Sequence, residues 1–318
     1  MTTTSTDPDL TASKDGPVPP QRKRFAGIGA QNISLIGALA VILVLFGLLD
    51  DNYLSWSNMQ VIAEAATITG LLAIVQTVII ICVGLGISVV SRVGVASVVS
   101  AMVLTTTGSN ALLGMAAAIG VGLAIGVLNG LVIVYGRVNP TISTLAGLAA
   151  YKGLAQLLSD GRAQGYVLNN DVFVFLGRGT IAGLPVMVWI LIVTAAAVHL
   201  LLKYTGIGRN LYAIGGNDIA ARLAGIRINN SGQPVSGSEG LELKAITAAA
   251  LGDAALKGGK GGIGGPLLAV ALLGCLENGL TVEGINTFWQ NVAQGALLVI
   301  AVVIQQRRTG ERAIGLPH

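Results

Sequence analysis

Long apolar runs separated by short polar links dominate the chain, and this pattern alone predicts most of its elements. A helix that crosses a bilayer needs about 20 predominantly apolar residues, with a working range of about 17–25. The stretches that meet this requirement are Ile33 to Leu49, Ala66 to Ile87, Val93 to Thr107, Ala111 to Tyr135, Pro140 to Leu158, Leu184 to Leu202, Pro266 to Val282 and Thr287 to Ile304. The links between them carry turn-forming or charged residues, among them Asp50-Asp51, Gly108-Ser109-Asn110 and Asp160-Gly161. An all-α, polytopic transmembrane helix bundle of about eight spans follows from that count.

The stretch between Arg227 and Pro266 departs from the pattern. Ser231 to Glu242 is too polar to span, and Leu243 to Leu256 is short and interrupted by Lys244, Gly252 and Asp253. Lys and Arg concentrate in the cytoplasmic loops of membrane proteins. With Arg24 inside, Asp50-Asp51 falls outside, Arg92 inside, residues 108–110 outside, Arg137 inside and Asp160 outside. Lys203, Arg209, Arg222 and Arg227 then return inside, and the chain ends with Glu283 outside and Arg307-Arg308 inside. The alternation closes only if the stretch begins and ends on the cytoplasmic side, which predicts a re-entrant or interfacial segment there.

Three regions follow. Residues 1–26, rich in Thr, Ser, Asp and Pro and closed by Arg22-Lys23-Arg24, read as a disordered cytoplasmic tail. No short apolar core with a small-residue cleavage site marks this segment as a signal peptide. Residues 27–306 form the membrane domain, with a long cytoplasmic loop over 203–230, and residues 307–318 form a cytoplasmic tail.

Composition sharpens the picture. Only 11% of residues are charged and mean hydropathy is +0.75, against roughly 25% charged in water-soluble chains. The 44 glycines lie mostly inside the apolar runs, where small residues let helix backbones approach closely in lipid. Cys82 and Cys275 stand in apolar stretches and read as small hydrophobes. His199 and His318 are the only histidines, too little material for a zinc site or a Ser/His/Asp triad. No metal or other cofactor is expected. The net charge of +4 comes partly from basic clusters at the two ends, which suits membrane orientation rather than nucleic-acid binding. The Gly-rich segment Gly258 to Gly265 is not a phosphate-binding loop, since G-x-x-x-x-G-K-[ST] finds Ala at 254 and Gly at 261 around Lys260.

Ionisable residues inside apolar runs are costly and are functional candidates by default; Glu64, Lys152 and Glu277 qualify. Gln76, Thr77, Ser88, Asn129, Thr141, Thr144 and Asn278 are uncharged candidates. From these, Gln76, Asn129, Thr141, Thr144 and Asn278 are the set assigned to a translocation path, with interhelical hydrogen bonding as the competing use.

The most informative local feature is the run from Tyr204 to Ile226, which contains Gly215-Gly216-Asn217-Asp218 followed by Ala220, Ala221, Leu223 and Ala224. Asn217 or Asp218 predicts a helix start. A short helix there suits docking in the groove of a cytoplasmic partner, and equally suits an interfacial amphipathic helix.

This run resembles the cytoplasmic coupling segment of the ribose-type ABC sugar permeases. Further matches in order are Val138-Asn139-Pro140-Thr141-Ile142 with Thr144-Leu145, Asp160-Gly161-Arg162, Gly258-Gly259-Lys260-Gly261, Glu277-Asn278-Gly279-Leu280 and Phe288-Trp289-Gln290. The resemblance implies a multi-pass permease of the bacterial cytoplasmic (inner) membrane, with both termini cytoplasmic. It would work as a homodimer or heterodimer with a second permease chain, two cytoplasmic ABC ATPase subunits that bind the ATP, and an extracytoplasmic substrate-binding protein. The coupling role falls on Gly215, Gly216, Asn217, Ala220, Ala221 and Gly225. Two departures stand out. Gly86-Ile87-Ser88-Val89-Val90-Ser91-Arg92 lacks the Asp of the relatives' Gly-Ile-Asp-Leu-Ser-Val-Gly-like turn, and about one helix is missing after Ile228. A degenerate, non-transporting assembly subunit is therefore kept as the alternative.

Overall fold

The computed structural model describes residues 30–82, 86–108, 110–162, 171–216, 241–252, 259 and 261–309. In chain order its elements are α1 (Ala30–Leu49), α2 (Trp56–Ile81), α3 (Val89–Thr106), α4 (Ala111–Gly136), α5 (Pro140–Leu158) and α6 (Asp171–Arg178). A small hairpin of β1 (Thr180–Ile181) and β2 (Leu184–Pro185) follows, then α7 (Val186–Tyr204), α8 (Gly206–Gly216), α9 (Leu241–Leu251), α10 (Gly264–Val282) and α11 (Thr287–Thr309).

Each predicted span is a helix, and local chemistry fixes several of their starts. Asn110 caps α4 by accepting from the amides of Leu112 and Leu113, and Asn139 caps α5 ahead of Pro140 at the first helical position. Among the described residues, six helices are long and apolar enough to cross a membrane: α1, α2, α3, α4, α7 and α10. The sequence expectation of about eight also counts α5 and α11; both form at the expected places, and α5 is less apolar than those six. Helix α2 begins ten residues before the predicted Ala66, because Ser55 caps it by accepting from Asn58 N at 3.3 Å. Its first turns carry Asn58, Gln60 and Glu64, so an apolar-window reading truncates it. The β hairpin and α6 were not predicted. Ala182 and Gly183, both at positive φ, form the two-residue loop, with Thr180 opposite Pro185.

Helix α2 is the hub. It packs against α7, α8, α9 and α10, and its Ala73, Ile74, Gln76, Thr77, Ile80 and Ile81 are buried. Helix α10 lies on α1, α2 and α9, while α3, α4 and α5 form a second group centred on α3. The outer faces carry large apolar side chains such as Leu48, Leu112, Leu123, Leu157 and Val193. Such a surface suits lipid, where only helices that satisfy their own backbone hydrogen bonds can stand exposed.

The short segment near residue 243 resolves as α9, which lies inside the bundle rather than at its surface. Ala245, Thr247, Ala248, Ala249 and Ala250 are buried, in a bundle where α9 packs against α2, α10 and α11. At about 1.5 Å per residue it is some 16 Å long, roughly half the hydrocarbon thickness. It is too short to cross a bilayer alone. Gly252, after its last turn, meets Gly265 of α10 backbone to backbone, and a Cβ on either would collide with the other's main chain.

Helix α3 starts in an unexpected place. Its first-turn residues Val89 and Val90 pack with Leu72 and Ile79 of α2 and Ala245 of α9. Leu72 precedes the end of α2 by about 14 Å at the helical rise, so α3 begins inside the bundle. Arg92, read from sequence as a cytoplasmic-loop cation, is instead completely buried. The positive-inside reading did not anticipate this because Gly86 and the first turn of α3 lie against Gln76, Ile79 and Leu72 of α2.

Replacing Gly265 with Ala should lower the thermal unfolding midpoint of the detergent-solubilised chain, by overpacking worth about 1–3 kcal/mol. Gly264→Ala, one residue earlier with open space around it, should leave the midpoint unchanged or raised; equal loss in both variants would show that the Gly252–Gly265 crossing is not the cause.

Candidate functional site

Polar side chains gather at three levels of the bundle. At the end where α2 and α7 finish, Thr205 stops α7, and its Oγ1 accepts from Gly208 N at 3.2 Å to start α8. A Cβ on Gly208 would strike the Leu201 and Leu202 carbonyls, so only glycine permits so tight a turn between the two helices. Leu211 and Tyr212 of α8 pack onto Ile74 and Ile81 of α2 and Leu202 of α7. Tyr212 Oη donates to Gly261 O at 2.7 Å, and Gly259 N donates to Ile81 O at 2.9 Å. Burial raises the Tyr212 phenol above its ordinary pKa, so it stays a neutral donor. A cavity of about 450 Å³ opens here between His199 and Lys203 of α7, Arg209 and Tyr212 of α8 and residues 261–263.

Gly215 and Gly216 end α8. The remaining predicted coupling residues, Asn217, Ala220, Ala221 and Gly225, lie outside the described residues. The first half of the run from Tyr204 is thus helical where a loop was expected, with Thr205 as the signal that sequence reading passed over.

Midway through the bundle, buried Gln76 of α2 lies beside Gly86, with its Oε1 3.1 Å from where a glycine Cβ would stand. Arg92 Nη2 donates to Ser88 Oγ at 2.9 Å and the guanidinium faces the Tyr151 ring at 5.7 Å. Gly147 of α5 sits against Ser88 and Tyr151. Thr144, one turn earlier, is buried, and its Oγ1 donates to Thr141 O at 3.0 Å. Asn129 of α4 accepts from Ser143 Oγ at 3.1 Å, joining α4 to α5.

Toward the opposite end, Asn278 of α10 and Asn58 of α2 exchange a hydrogen bond at 3.0 Å, and Asn58 Nδ2 also donates to Tyr53 O at 2.7 Å. Tyr53 Oη donates to Cys275 O at 2.7 Å, and burial holds its phenol above the ordinary value. Lys244 of α9 pairs with Glu277 of α10 at 2.5 Å. Glu64 and Lys152 are exposed on outer faces. The five predicted path residues are therefore not one cluster. Gln76 and Thr144 lie toward the α3 start, Asn129 and Thr141 belong to α4 and α5, and Asn278 ties α10 to α2.

Sequence reasoning missed Arg92 and Lys244 as interior groups. Lys244 had a signal, because a cation in a short apolar helix calls for an acid such as Glu277, already singled out; their pairing needed the fold.

Helices of this length and apolarity around a buried hub, with a helical stem at one end, define a multi-pass membrane protein. A family profile described as "Branched-chain amino acid transport system / permease component" matches residues 58–231, and the chain belongs to that permease family. The ribose import permease protein RbsC of Escherichia coli (strain K12) is 31% identical over 85% of this chain and 92% of its own length. RbsC of Bacillus subtilis (strain 168) is 31% identical over 91% of this chain and 97% of its own. The L-arabinose transport system permease protein AraH of Escherichia coli (strain K12) is 35% identical, covering 85% and 90%. No solved structure matches the chain. The first alignment runs over 298 positions yet uses 85% of 318 residues, about 270, leaving about 28 positions without a counterpart here. That deficit is of the length of one spanning helix.

In a double-mutant cycle, Lys244→Met and Glu277→Gln should couple by about 1 kcal/mol in thermal or denaturant unfolding. Strict additivity would mean that the pair does not hold α9 on α10.

Proposed function

We propose that the chain is the membrane-spanning permease subunit of an ABC importer that carries a sugar or similar small polar solute across the cytoplasmic membrane. Its relatives' names carry the reading, because permeases for ribose and L-arabinose align with it across nearly their whole length. Sugar is preferred over the amino acids of the family description because these full-length relatives name sugars. In this reading two ABC ATPase subunits bind and hydrolyse ATP, an extracytoplasmic protein delivers the solute, and a second permease chain completes the pathway. The chain has no nucleotide site or cofactor of its own. Both termini are cytoplasmic, supported by Arg22-Lys23-Arg24 and Arg307-Arg308.

The geometry supports a mechanical route. Gly215, Gly216, Asn217, Ala220, Ala221 and Gly225 form the handle for the ATPases, and α8 is its stem. Because Leu211 and Tyr212 of the stem pack on the cluster that holds Ile74 and Ile81, a push on the handle bears on α2, which packs against four other helices. Gln76, Thr144, Asn129, Thr141 and Asn278 are the polar groups available to a solute as the bundle opens.

Co-reconstituted with its cognate ATPase, the chain should stimulate ATP hydrolysis and support uptake when binding protein is added. Gly216→Trp or Ala221→Trp should reduce stimulation at least about fivefold, the lower end of ordinary coupling energies, without lowering the thermal midpoint. Full stimulation by both variants would remove the handle from the mechanism.

A further inference from the structure

Among the described residues, Arg92 has more buried polar atoms without a hydrogen-bond partner than any other side chain. It is fully buried one turn into α3, and the start of α3 sits against Leu72 and Ala245, well inside the molecule. Ser88 occupies Nη2 and Tyr151 covers one face of the guanidinium. Nε and Nη1 have no hydrogen-bond partner, and neither has Nε2 of Gln76. Among the described residues no carboxylate pairs with Arg92; the ion pair nearest to such a role, Lys244–Glu277, is closed on itself.

An interior charge is costly to bury unless something balances it, and ionisable groups within a membrane bundle mark solute and ion pathways. Lysine or histidine can shed its charge, but a guanidinium stays protonated in proteins. The unsatisfied atoms are all donors, which calls for acceptors. Sugar hydroxyls would fill the hydrogen bonds and leave the charge unbalanced, whereas carboxylate or phosphate oxygens do both, through short charge-assisted bonds. Glycine brings α5 close to the group: a Cβ on Gly147 would come within 2.8 Å of the Tyr151 ring and 3.3 Å of Ser88.

We propose that Arg92, oriented by Ser88 and Tyr151 and joined by Gln76, is an anion-recognition site inside the bundle, and that the solute it takes carries a carboxylate or phosphate group. Identifying that anion with the transported solute rests on the permease reading above; the site itself does not.

The test uses the full chain in lipid nanodiscs, with its unfolding midpoint measured in D-galacturonate, inorganic phosphate or D-galactose at equal concentration and fixed ionic strength. Galacturonate, phosphate or both should raise the midpoint by a few degrees and galactose should not; whichever acts tells carboxylate from phosphate recognition. The rise should vanish in Arg92→Gln and shrink in Gln76→Leu. Equal midpoints in all three solutes for the unmodified chain would overturn the proposal, even where Arg92→Gln fails to fold. A rise that survives in Arg92→Gln would overturn it too, as binding elsewhere. Stimulation of the cognate ATPase, read in the same nanodiscs, separates the two readings. If stimulation is absent and the anion response intact, the transport role falls and the site stands; with the results reversed, the site falls and the transport role stands.

Discussion

The structure depends on close backbone packing around α2. In lipid the hydrophobic effect does not draw one apolar helix to another, so the bundle must be held by van der Waals contact and by hydrogen bonds between helices. Both gather on this helix and among the elements packed around it. Alanines of α9 and the Gly252–Gly265 crossing bring α9 and α10 in close, while Asn58–Asn278 and Tyr53–Cys275 pin the other end. A 26-residue helix surrounded in this way cannot shift without moving its neighbours.

That arrangement places function along one end of a single rigid element. The α8 stem, packed on Ile74 and Ile81, lies where the handle for a motor is proposed. Gln76, two residues beyond Ile74, is buried beside Gly86, which leads through Ser88 into the turn that carries Arg92. Force applied at the stem and recognition within the bundle therefore share a single turn or two of α2, a short physical path between an energy source and a solute.

The alignment with RbsC of Escherichia coli leaves about 28 positions without a counterpart in this chain. Helix α9 nevertheless sits between α2 and α10, fixed by Lys244–Glu277 and by its small side chains. A helix half a bilayer in length is tolerable only where protein, not lipid, covers its ends, and the burial of residues 245–250 supplies that cover on its flanks.

The sequence by itself determined the helices, since an apolar run of about 20 residues in lipid has few other ways to satisfy its backbone, and caps such as Asn110 and Asn139 mark starts that a reader can find. It also carried the family, through short motifs spread along the chain. Where the helices sit was decided only by tertiary structure. Arg92 looks identical in sequence whether it ends a loop or lies inside a bundle, because the charge of a residue is local and its burial is not. The pairing of Lys244 with Glu277, 33 positions apart, and the separation of Asn278 from Gln76 arise likewise from how helices pack, which depends on contacts between segments far apart along the chain.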